Sequence, residues 1–330
     1  MLAAIIDAPA ASPRVGDVEL SPRQTDQTLL AVVAAPLNPL DLLIASGSFH
    51  SARHESAYVP GSECVGIVLD SDSFAVGTLV YAESQASPTS PGSLATQVVV
   101  SDTNVIPLPA GVDPVHAAAV GNSGVAAYLP LVALAKLAPG EAVLILGATG
   151  SVGQIAVQIA RLRGASRVIG IGRNQEALAS LAALGADAVV ELRAGEDPNQ
   201  LAGRIRAVAG PVDVILDGLY AEPLEAALHS CAMHARVINI GHSAGPTATI
   251  PAGLLRSKQI VISGFAGLHT PVREKRAALD WLWSEVAADR LGVSVVTLAL
   301  EDLPTAWSAQ AKSPHAKHVV VPRPNEREIA

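Results

Sequence analysis

A chain of 330 residues with 50% hydrophobic residues and a mean hydropathy of +0.38 can bury two sizeable cores, which excludes extended disorder. The formal net charge of −8, without runs of Lys or Arg, argues against a nucleic-acid or anionic-membrane surface and leaves small molecules as the expected partners. The two cysteines are too few for a disulfide framework, and the first residues lack the basic segment of a signal peptide, so we expect a cytoplasmic protein.

The first part of the chain, to about residue 119, consists of short apolar runs between turn residues, which is typical of a mainly β domain. Its predicted strands are Leu2–Ile6, Thr28–Val33, Cys64–Leu69, Thr78–Ala82 and Thr96–Val100. From about residue 120 to 257, strands and helices alternate, which predicts a doubly wound α/β sheet. Its predicted strands are Val143–Leu146, Val168–Ile171, Ala188–Val190, Val212–Leu216 and Val237–Ile240.

The last part of the chain returns to strand and then alternates again. A strand is predicted at Gln259–Ser263, a helix around Glu274–Ala288, and two more strands at Val293–Leu298 and His318–Val321. The tail from Pro322 is expected to fray.

A glycine turn follows the buried strand that ends at Leu146. Ala148, Gly150 and Gly153 give the spacing A-x-G-x-x-G, a variant of the dinucleotide fingerprint with alanine in place of the first glycine. The middle glycine lets the backbone approach a pyrophosphate, and the last lets the following helix pack closely on the strand. The pattern therefore predicts a dinucleotide site with these residues: Ala148, Thr149, Gly150, Ser151, Val152, Gly153, Gly172, Arg173, Asn174 and Gly241.

The residue about 20 positions beyond the glycines indicates which dinucleotide is bound. An NAD site usually carries a carboxylate there, whereas this chain has Arg173. A guanidinium can pair with a 2′-phosphate through two parallel hydrogen bonds, which favours NADPH over NADH. The alternative is that Arg173 is a solvated loop arginine.

Four stretches carry a family resemblance: LNPLDLLIASG from Leu37, PGSECVGIV from Pro60, LAPGEAVLILGATGSVGQIAVQIAR from Leu137 and LGADAVVE from Leu184. With these motifs the chain resembles zinc-independent, quinone oxidoreductase-like members of the medium-chain dehydrogenase/reductase superfamily. The resemblance implies an α/β fold with a GroES-like, mainly β catalytic domain over residues 1–119 and 258–330. It also implies a Rossmann NADP-binding domain over residues 120–257, with the cofactor in a cleft between the domains.

The resemblance further implies a catalytic site without metal. Zinc-dependent relatives hold the metal with Cys, His and Cys, and the equivalent positions here are Asn38, Ser62 and Asn122, none of which supplies a thiolate or imidazole. We therefore expect no zinc. Instead, NADPH would give hydride to a quinone or an α,β-unsaturated carbonyl, and the three polar side chains would stabilise the negative oxygen while water or a hydroxyl supplies a proton. Alternatively, Asn38 organises a turn beside Pro39 and Asp41 caps the helix that begins there.

Other functions stay open at this point. A carbonyl reductase or alcohol dehydrogenase working without zinc is one alternative. A non-catalytic NADPH-binding regulatory protein is another, because relatives often carry tyrosines where this chain has Leu43 and Phe49. Among the nine histidines, His50 is the best placed for acid–base work. The apolar strand Gln259–Phe265 resembles a sheet edge, and we expect it to pair in a homodimer.

Overall fold

The computed structural model describes residues 1–47, 56–87 and 89–322, so His50 and the segment 323–330 lie outside the described residues. The chain divides into two compact units, Met1–Asn122 with Val272–Ala330, and Ser123–Pro271. Boundaries predicted at 119/120 and 257/258 therefore lie at 122/123 and 271/272 in the structure. One unit is built on antiparallel strands and the other on parallel strands with helices, which confirms the predicted α/β fold class.

The first unit contains a seven-stranded sheet in the order β14-β15-β3-β4-β5-β7, with β6 also paired to β3, and a separate antiparallel pair β1-β2. Its strands are β1 (Leu2–Ile5), β2 (Arg14–Asp17), β3 (Gln27–Pro36), β4 (Glu63–Asp70), β5 (Leu79–Glu83), β6 (Gln97–Ser101), β7 (Val105–Pro107), β14 (Val295–Leu298) and β15 (Lys317–Val320). Its helices are α1 (Pro39–Ala45), α8 (Val272–Ala287), α9 (Leu303–Gln310) and the start of α2 (Pro114–Tyr128).

Strand β3 organises this sheet because it pairs with β4, β6 and β15. Its sequence QTLLAVVAAP alternates between buried and half-buried positions, so that Leu30, Val32 and Ala34 face the core. The last strand, β15, joins β3 from the far end of the chain with Val319 opposite Pro36. The C-terminal segment thus completes the sheet of the first unit, as the family resemblance implies.

Helix α2 is apolar over most of its length and continues as one π-helical segment, Leu129–Leu134. Among the described residues, the stretch Pro114–Leu134 alone is long and apolar enough to cross a membrane. Most of it, 61% of the most apolar window, is buried inside the protein, as expected for a core helix.

The second unit is built on a six-stranded parallel sheet in the order β10-β9-β8-β11-β12-β13. Its strands are β8 (Ala142–Leu146), β9 (Arg167–Gly172), β10 (Ala188–Glu191), β11 (Val212–Asp217), β12 (Cys231–Asn239) and β13 (Val261–Gly264). Its helices are α3 (Ser151–Leu162), α4 (Gln175–Ser180), α5 (Pro198–Ala209), α6 (Ala221–Leu228) and α7 (Ala252–Lys258). This is the strand order of dinucleotide-binding folds, with its switch point between β8 and β11.

Strand β13 is placed differently from the sequence prediction. The predicted strand Gln259–Ser263 falls in the segment that we assigned to the first domain, whereas β13 pairs with β12 at the edge of the parallel sheet. The apolar character of the strand identifies it correctly, but composition does not say which of two neighbouring sheets an edge strand joins. Its position at an edge is as predicted.

The start of α3 packs closely on the turn after β8. A Cβ atom at Gly153 would lie 2.4 Å from the carbonyl oxygen of Gly147 and 2.5 Å from Ala148 Cα. Both are backbone atoms, so the clash could be relieved only by moving the helix. This position therefore requires glycine, as the fingerprint predicts.

We expect Gly153→Ala to lower the free energy of unfolding by about 2 kcal/mol or more, because the added methyl group meets backbone. Gly203→Ala is the matched control: Gly203 also lies inside a helix, but a Cβ there has no atom within 4 Å. The control should gain about 0.8 kcal/mol from helix propensity. Urea unfolding followed by circular dichroism measures both, and equal effects would contradict the packing argument.

Candidate functional site

The candidate dinucleotide turn begins directly after β8, at Gly147. This residue has φ +83, a left-handed conformation that favours glycine. The backbone N–H groups of Gly147 and Ala148 both donate to the carbonyl of Ile171, at 3.0 and 2.9 Å, which ties the turn to β9. Gly147 was missed in the sequence analysis, although its place immediately after a buried strand could have indicated it.

Gly150 precedes the first turn of α3 and leaves space in front of the helix. A Cβ at Gly150 would meet only the carbonyl oxygen of Gly147, at 3.6 Å. No side chain caps the helix, so the first N–H groups, from Ser151 to Gly153, have no side-chain acceptor. An open helix N-terminus after a glycine turn is suited to the negative charge of a pyrophosphate.

The end of β9 brings Gly172, Arg173 and Asn174 next to this turn. A Cβ at Gly172 would lie 2.9 Å from Thr149 Cγ2, so glycine lets the two loops approach. Arg173 is exposed and has no hydrogen bond or ion pair with any described residue, which leaves its guanidinium available to an anion. Asn174 accepts a hydrogen bond from the N–H of Ala177 at 2.9 Å and caps α4.

The neighbouring strands end in further glycines at the same edge of the sheet. A Cβ at Gly241 would lie 3.1 Å from the carbonyl oxygen of Gly218, so the ends of β11 and β12 also come close. The buried Asp217 carboxylate holds this place together by accepting from the N–H groups of Leu219 and Tyr220 and from Asn239 Nδ2. Burial raises the pKa of Asp217 against these hydrogen bonds, which lower it. Sequence analysis overlooked Gly218, and Asp217 appeared there only as a residue flanking a strand.

The predicted catalytic residue Asn38 lies in the first unit, at the N-terminus of α1. It is only 2% exposed, and its amide is held within the protein. Its Oδ1 accepts a short hydrogen bond from Lys317 Nζ, while its Nδ2 donates to Glu63 Oε1 at 2.8 Å and to Ser62 Oγ at 3.3 Å. Both amide hydrogens therefore have protein acceptors, and any influence of Asn38 on a bound molecule passes through Ser62.

Glu63 is the centre of this cluster, although the sequence analysis did not select it. Its carboxylate accepts from Asn38 Nδ2, from the Tyr81 hydroxyl at 2.8 Å and from the backbone N–H of Asn122 at 2.7 Å. Three donors stabilise a buried carboxylate in its ionised form. An acidic residue at the start of the apolar strand ECVGIVLD is the signal that could have identified it.

Asp41 and Lys317 complete the buried group of charges. The Asp41 carboxyl accepts from the Asn38 backbone N–H at 2.7 Å through Oδ2, whereas its buried Oδ1 has no hydrogen-bond partner among the described residues. Burial raises the pKa of Asp41 to about 7, against smaller lowering effects of Asn38, Ser62 and Lys317. Burial likewise lowers the pKa of Lys317, although Glu63 and Asp41 act in the opposite direction.

Of the three predicted catalytic side chains, Ser62 and Asn122 are half-buried and therefore partly accessible. Ser62 Oγ is within hydrogen-bonding distance of Asn38 Nδ2, and the Asn122 backbone donates to Glu63. The structure thus brings the three residues around one carboxylate. A donor to a substrate oxygen is available from the Ser62 hydroxyl and the Asn122 amide, and not from the enclosed Asn38 amide.

The side chains of this cluster do not fit a zinc ion. Among the described residues, no three His, Cys, Asp or Glu side chains form a metal-binding group. Burial raises the pKa of both Cys64 and Cys231 to about 12, so neither is a thiolate. The amides and hydroxyl at Asn38, Ser62 and Asn122 are not the sulfur and nitrogen donors that structural and catalytic zinc sites use.

Comparison with known proteins gives matches over both units. Residues 24–110 match the alcohol dehydrogenase GroES-like domain, and residues 151–284 match the zinc-binding dehydrogenase family. A quinone oxidoreductase of Lama guanicoe is 30% identical over 311 residues, covering 90% of each chain. The chain belongs to the quinone oxidoreductase family of the medium-chain dehydrogenases/reductases.

Two other similar proteins extend this comparison. The quinone oxidoreductase structure from Thermus thermophilus, described with its NADPH complex, has a TM-score of 0.79 and 28% identity, covering 97% of this chain and 100% of that one. A phenolphthiocerol/phthiocerol polyketide synthase of Mycobacterium tuberculosis is 29% identical over 323 residues. The match covers 96% of this chain but only 14% of that synthase.

The ionisation of Asp41 predicts a pH-dependent stability. Because its pKa rises from 3.8 to about 7 on folding, the folded protein holds this proton more tightly than the unfolded chain, and the stabilisation is lost as pH rises from about 4 to 7. Asp41→Asn keeps an oxygen acceptor for the Asn38 N–H and removes the titration. The free energy of unfolding of the natural protein, relative to this variant, should fall by up to about 4 kcal/mol between pH 4 and pH 8. Urea unfolding at each pH measures it, and a constant difference would contradict it.

Proposed function

We propose that this protein is an NADPH-dependent oxidoreductase that reduces quinones or α,β-unsaturated carbonyls without zinc. The observation that carries the proposal is the open glycine turn at Gly147–Gly153 with the unpaired Arg173 guanidinium beside it. Membership of the quinone oxidoreductase family and the NADPH complex of the Thermus relative support the same activity.

The residues of the second unit fit the bound cofactor. The first N–H groups of α3 would face the pyrophosphate, and Gly150 would let the backbone come close to it. Arg173 would pair with the 2′-phosphate that distinguishes NADPH from NADH. Gly172 and Gly241 would give clearance along the ends of β9 and β12. When bound, NADPH supplies a hydride.

The residues of the first unit would act on the acceptor molecule. As the hydride reaches a quinone or an enone, negative charge develops on the carbonyl oxygen, and neutral donors can stabilise it. Ser62 and Asn122 provide such donors, and Asn38 holds Ser62 through its amide. No residue of this cluster replaces the Lewis acid that an alcohol dehydrogenase uses, which favours reduction of an already activated acceptor.

The decisive experiment follows NADPH oxidation by the purified protein with a quinone, an enone, a ketone and an aldehyde. We expect turnover of the quinone or the enone, with no loss on treatment with a chelator and much less activity with NADH. Turnover of ketone and aldehyde alone would indicate a carbonyl reductase. Tight NADPH binding without turnover of any acceptor would indicate a regulatory protein, and chelator-sensitive activity would refute zinc independence.

Arg173 is expected to decide the cofactor preference. Arg173→Ala removes the charged hydrogen bonds to the 2′-phosphate, so KM for NADPH should rise roughly 10- to 100-fold while KM for NADH stays the same. Arg193→Ala is the control for loss of one positive charge, because Arg193 is also exposed and lies 3.5 Å from Glu191 in an ion pair. Equal changes for both cofactors in Arg173→Ala would contradict the assignment.

We further propose that the protein is a cytoplasmic homodimer joined along β13. This strand is the edge of the parallel sheet, and Val261 on it is 57% exposed. Exposed apolar edges of this kind are usually covered, and pairing with a second copy would satisfy their free backbone groups.

Val261→Lys should convert the dimer to a monomer, because it places a charge on the paired edge. Val76→Lys serves as the control, since Val76 is 71% exposed and belongs to the other unit. Sedimentation equilibrium at micromolar concentration measures the mass. A natural protein that is already monomeric would refute the dimer.

A further inference from the structure

Three buried ionisable side chains in the first unit form a group whose charges do not balance. Asp41, Glu63 and Lys317 are each no more than 1% exposed, and together they carry two carboxyl groups and one amine. Water cannot compensate an excess negative charge at such depth, so one carboxyl of the three must hold a proton or incur a large desolvation cost.

The hydrogen bonds indicate which carboxyl holds that proton. Glu63 accepts from three donors, which favours its carboxylate. Asp41 accepts one backbone N–H at Oδ2, and its Oδ1 has no partner among the described residues. A buried carboxylate oxygen without a donor is costly, whereas a protonated carboxyl is not. The raised pKa of Asp41, about 7, is consistent with this assignment.

The groups around Asp41 come from several elements of the first unit. Lys317 on β15 favours the ionised form, whereas Glu63 on β4 disfavours it. The hydroxyl of Tyr58 is also near, because the Asp41 charge contributes to raising its pKa to about 12 after the larger effect of burial. The Ser62 hydroxyl hydrogen-bonds Asp41 and lowers its pKa. Of these groups, Ser62 is the hydroxyl that is also bonded to Asn38.

A serine hydroxyl has one hydrogen to donate and two lone pairs that accept. Ser62 Oγ uses one lone pair for Asn38 Nδ2. If Asp41 is protonated, its O–H can donate to the second lone pair, and the Ser62 hydrogen is free to point at a substrate oxygen. If Asp41 is ionised, it can only accept, so the Ser62 hydrogen turns inward to the carboxylate.

We propose that Asp41 stores the proton consumed in the reduction and delivers it to the substrate through the Ser62 hydroxyl. This inference rests on the proposed function. As hydride adds to the acceptor carbon, the carbonyl π electrons move to oxygen; the Ser62 O–H bond breaks toward that oxygen while the Asp41 proton moves to Ser62 Oγ. Asp41 is left as a carboxylate beside Lys317, and solvent returns one proton before the next turnover. One hydride and one proton are consumed, so the reduction balances.

In this scheme Asp41 is a positioning and proton-storing residue, because Ser62 alone contacts the substrate. Lys317 holds Asn38 by its amide oxygen, and Asn38 in turn holds Ser62. The scheme also accounts for a proton source in a chain that has Leu43 where relatives carry a tyrosine.

The first test reads the proton directly, in the protein without cofactor or acceptor. Infrared difference spectroscopy should detect the carbonyl stretch of a protonated carboxyl that shifts in heavy water and disappears as pH rises through about 7. The band should be absent from Asp41→Asn and present in Asp217→Asn, in which the other buried aspartate is removed. A band unchanged in Asp41→Asn, or no band in the natural protein, would overturn the proposal.

The second test uses turnover with the best acceptor. The natural protein should lose kcat as pH rises above about 7. Asp41→Asn should lower kcat by roughly 100-fold, the usual share of a general acid, with a flat pH profile and an unchanged Kd for NADPH. Ser62→Ala should cost as much, the double variant no more than either single one, and Ser62→Thr should restore activity.

Natural kcat and pH profile in Asp41→Asn, or additive losses in the double variant, would overturn the relay. Melting temperatures and NADPH affinity separate these results from misfolding. If the natural protein reduces no acceptor, the proposed function fails, while the infrared band still reports on the proton of Asp41.

Discussion

The Glu63 carboxylate is the interaction on which the architecture of the first unit depends. It draws in a side chain at the start of α1, a hydroxyl from β5 and a backbone N–H from α2. The helix can approach only because position 121 is glycine, where a Cβ would lie 2.3 Å from Glu63 Oε2. A buried negative charge is tolerated because donors from three elements meet it, and those elements are fixed relative to one another as a result.

The second unit solves a different problem with different means. Its candidate binding edge is built from glycines at the ends of four adjacent strands, namely Gly147, Gly172, Gly218 and Gly241. These residues provide clearance and free backbone groups instead of charges. A binding edge of this kind suits a long, highly charged ligand, because the helix N-terminus contributes partial charge without the desolvation cost of a buried lysine.

The sequence was a good guide wherever local pattern decides the structure. The strands around Leu30 and Leu144 were predicted nearly to their ends, since apolar alternation and continuous apolar runs depend only on neighbouring residues. The same reasoning could not place β13, because edge strands of two sheets look alike. It selected Asn38 and Ser62 but gave no means of finding Lys317, which meets Asn38 across 279 positions of sequence. Long-range partners of polar groups depend on topology, and no spacing rule covers them.

The route of the chain has a consequence for synthesis. Residues 123–271 form a continuous unit, whereas the first unit is assembled from segments on either side of it. During translation the middle unit can therefore fold while Glu63, Asn38 and Asp41 still wait for β15. Until Lys317 leaves the ribosome, two acidic side chains and an amide oxygen lack their buried cation, and the central sheet lacks the strand that covers Pro36. The nascent chain thus carries an incomplete half that depends on the last strand, and chaperones have a defined interval in which that surface is exposed.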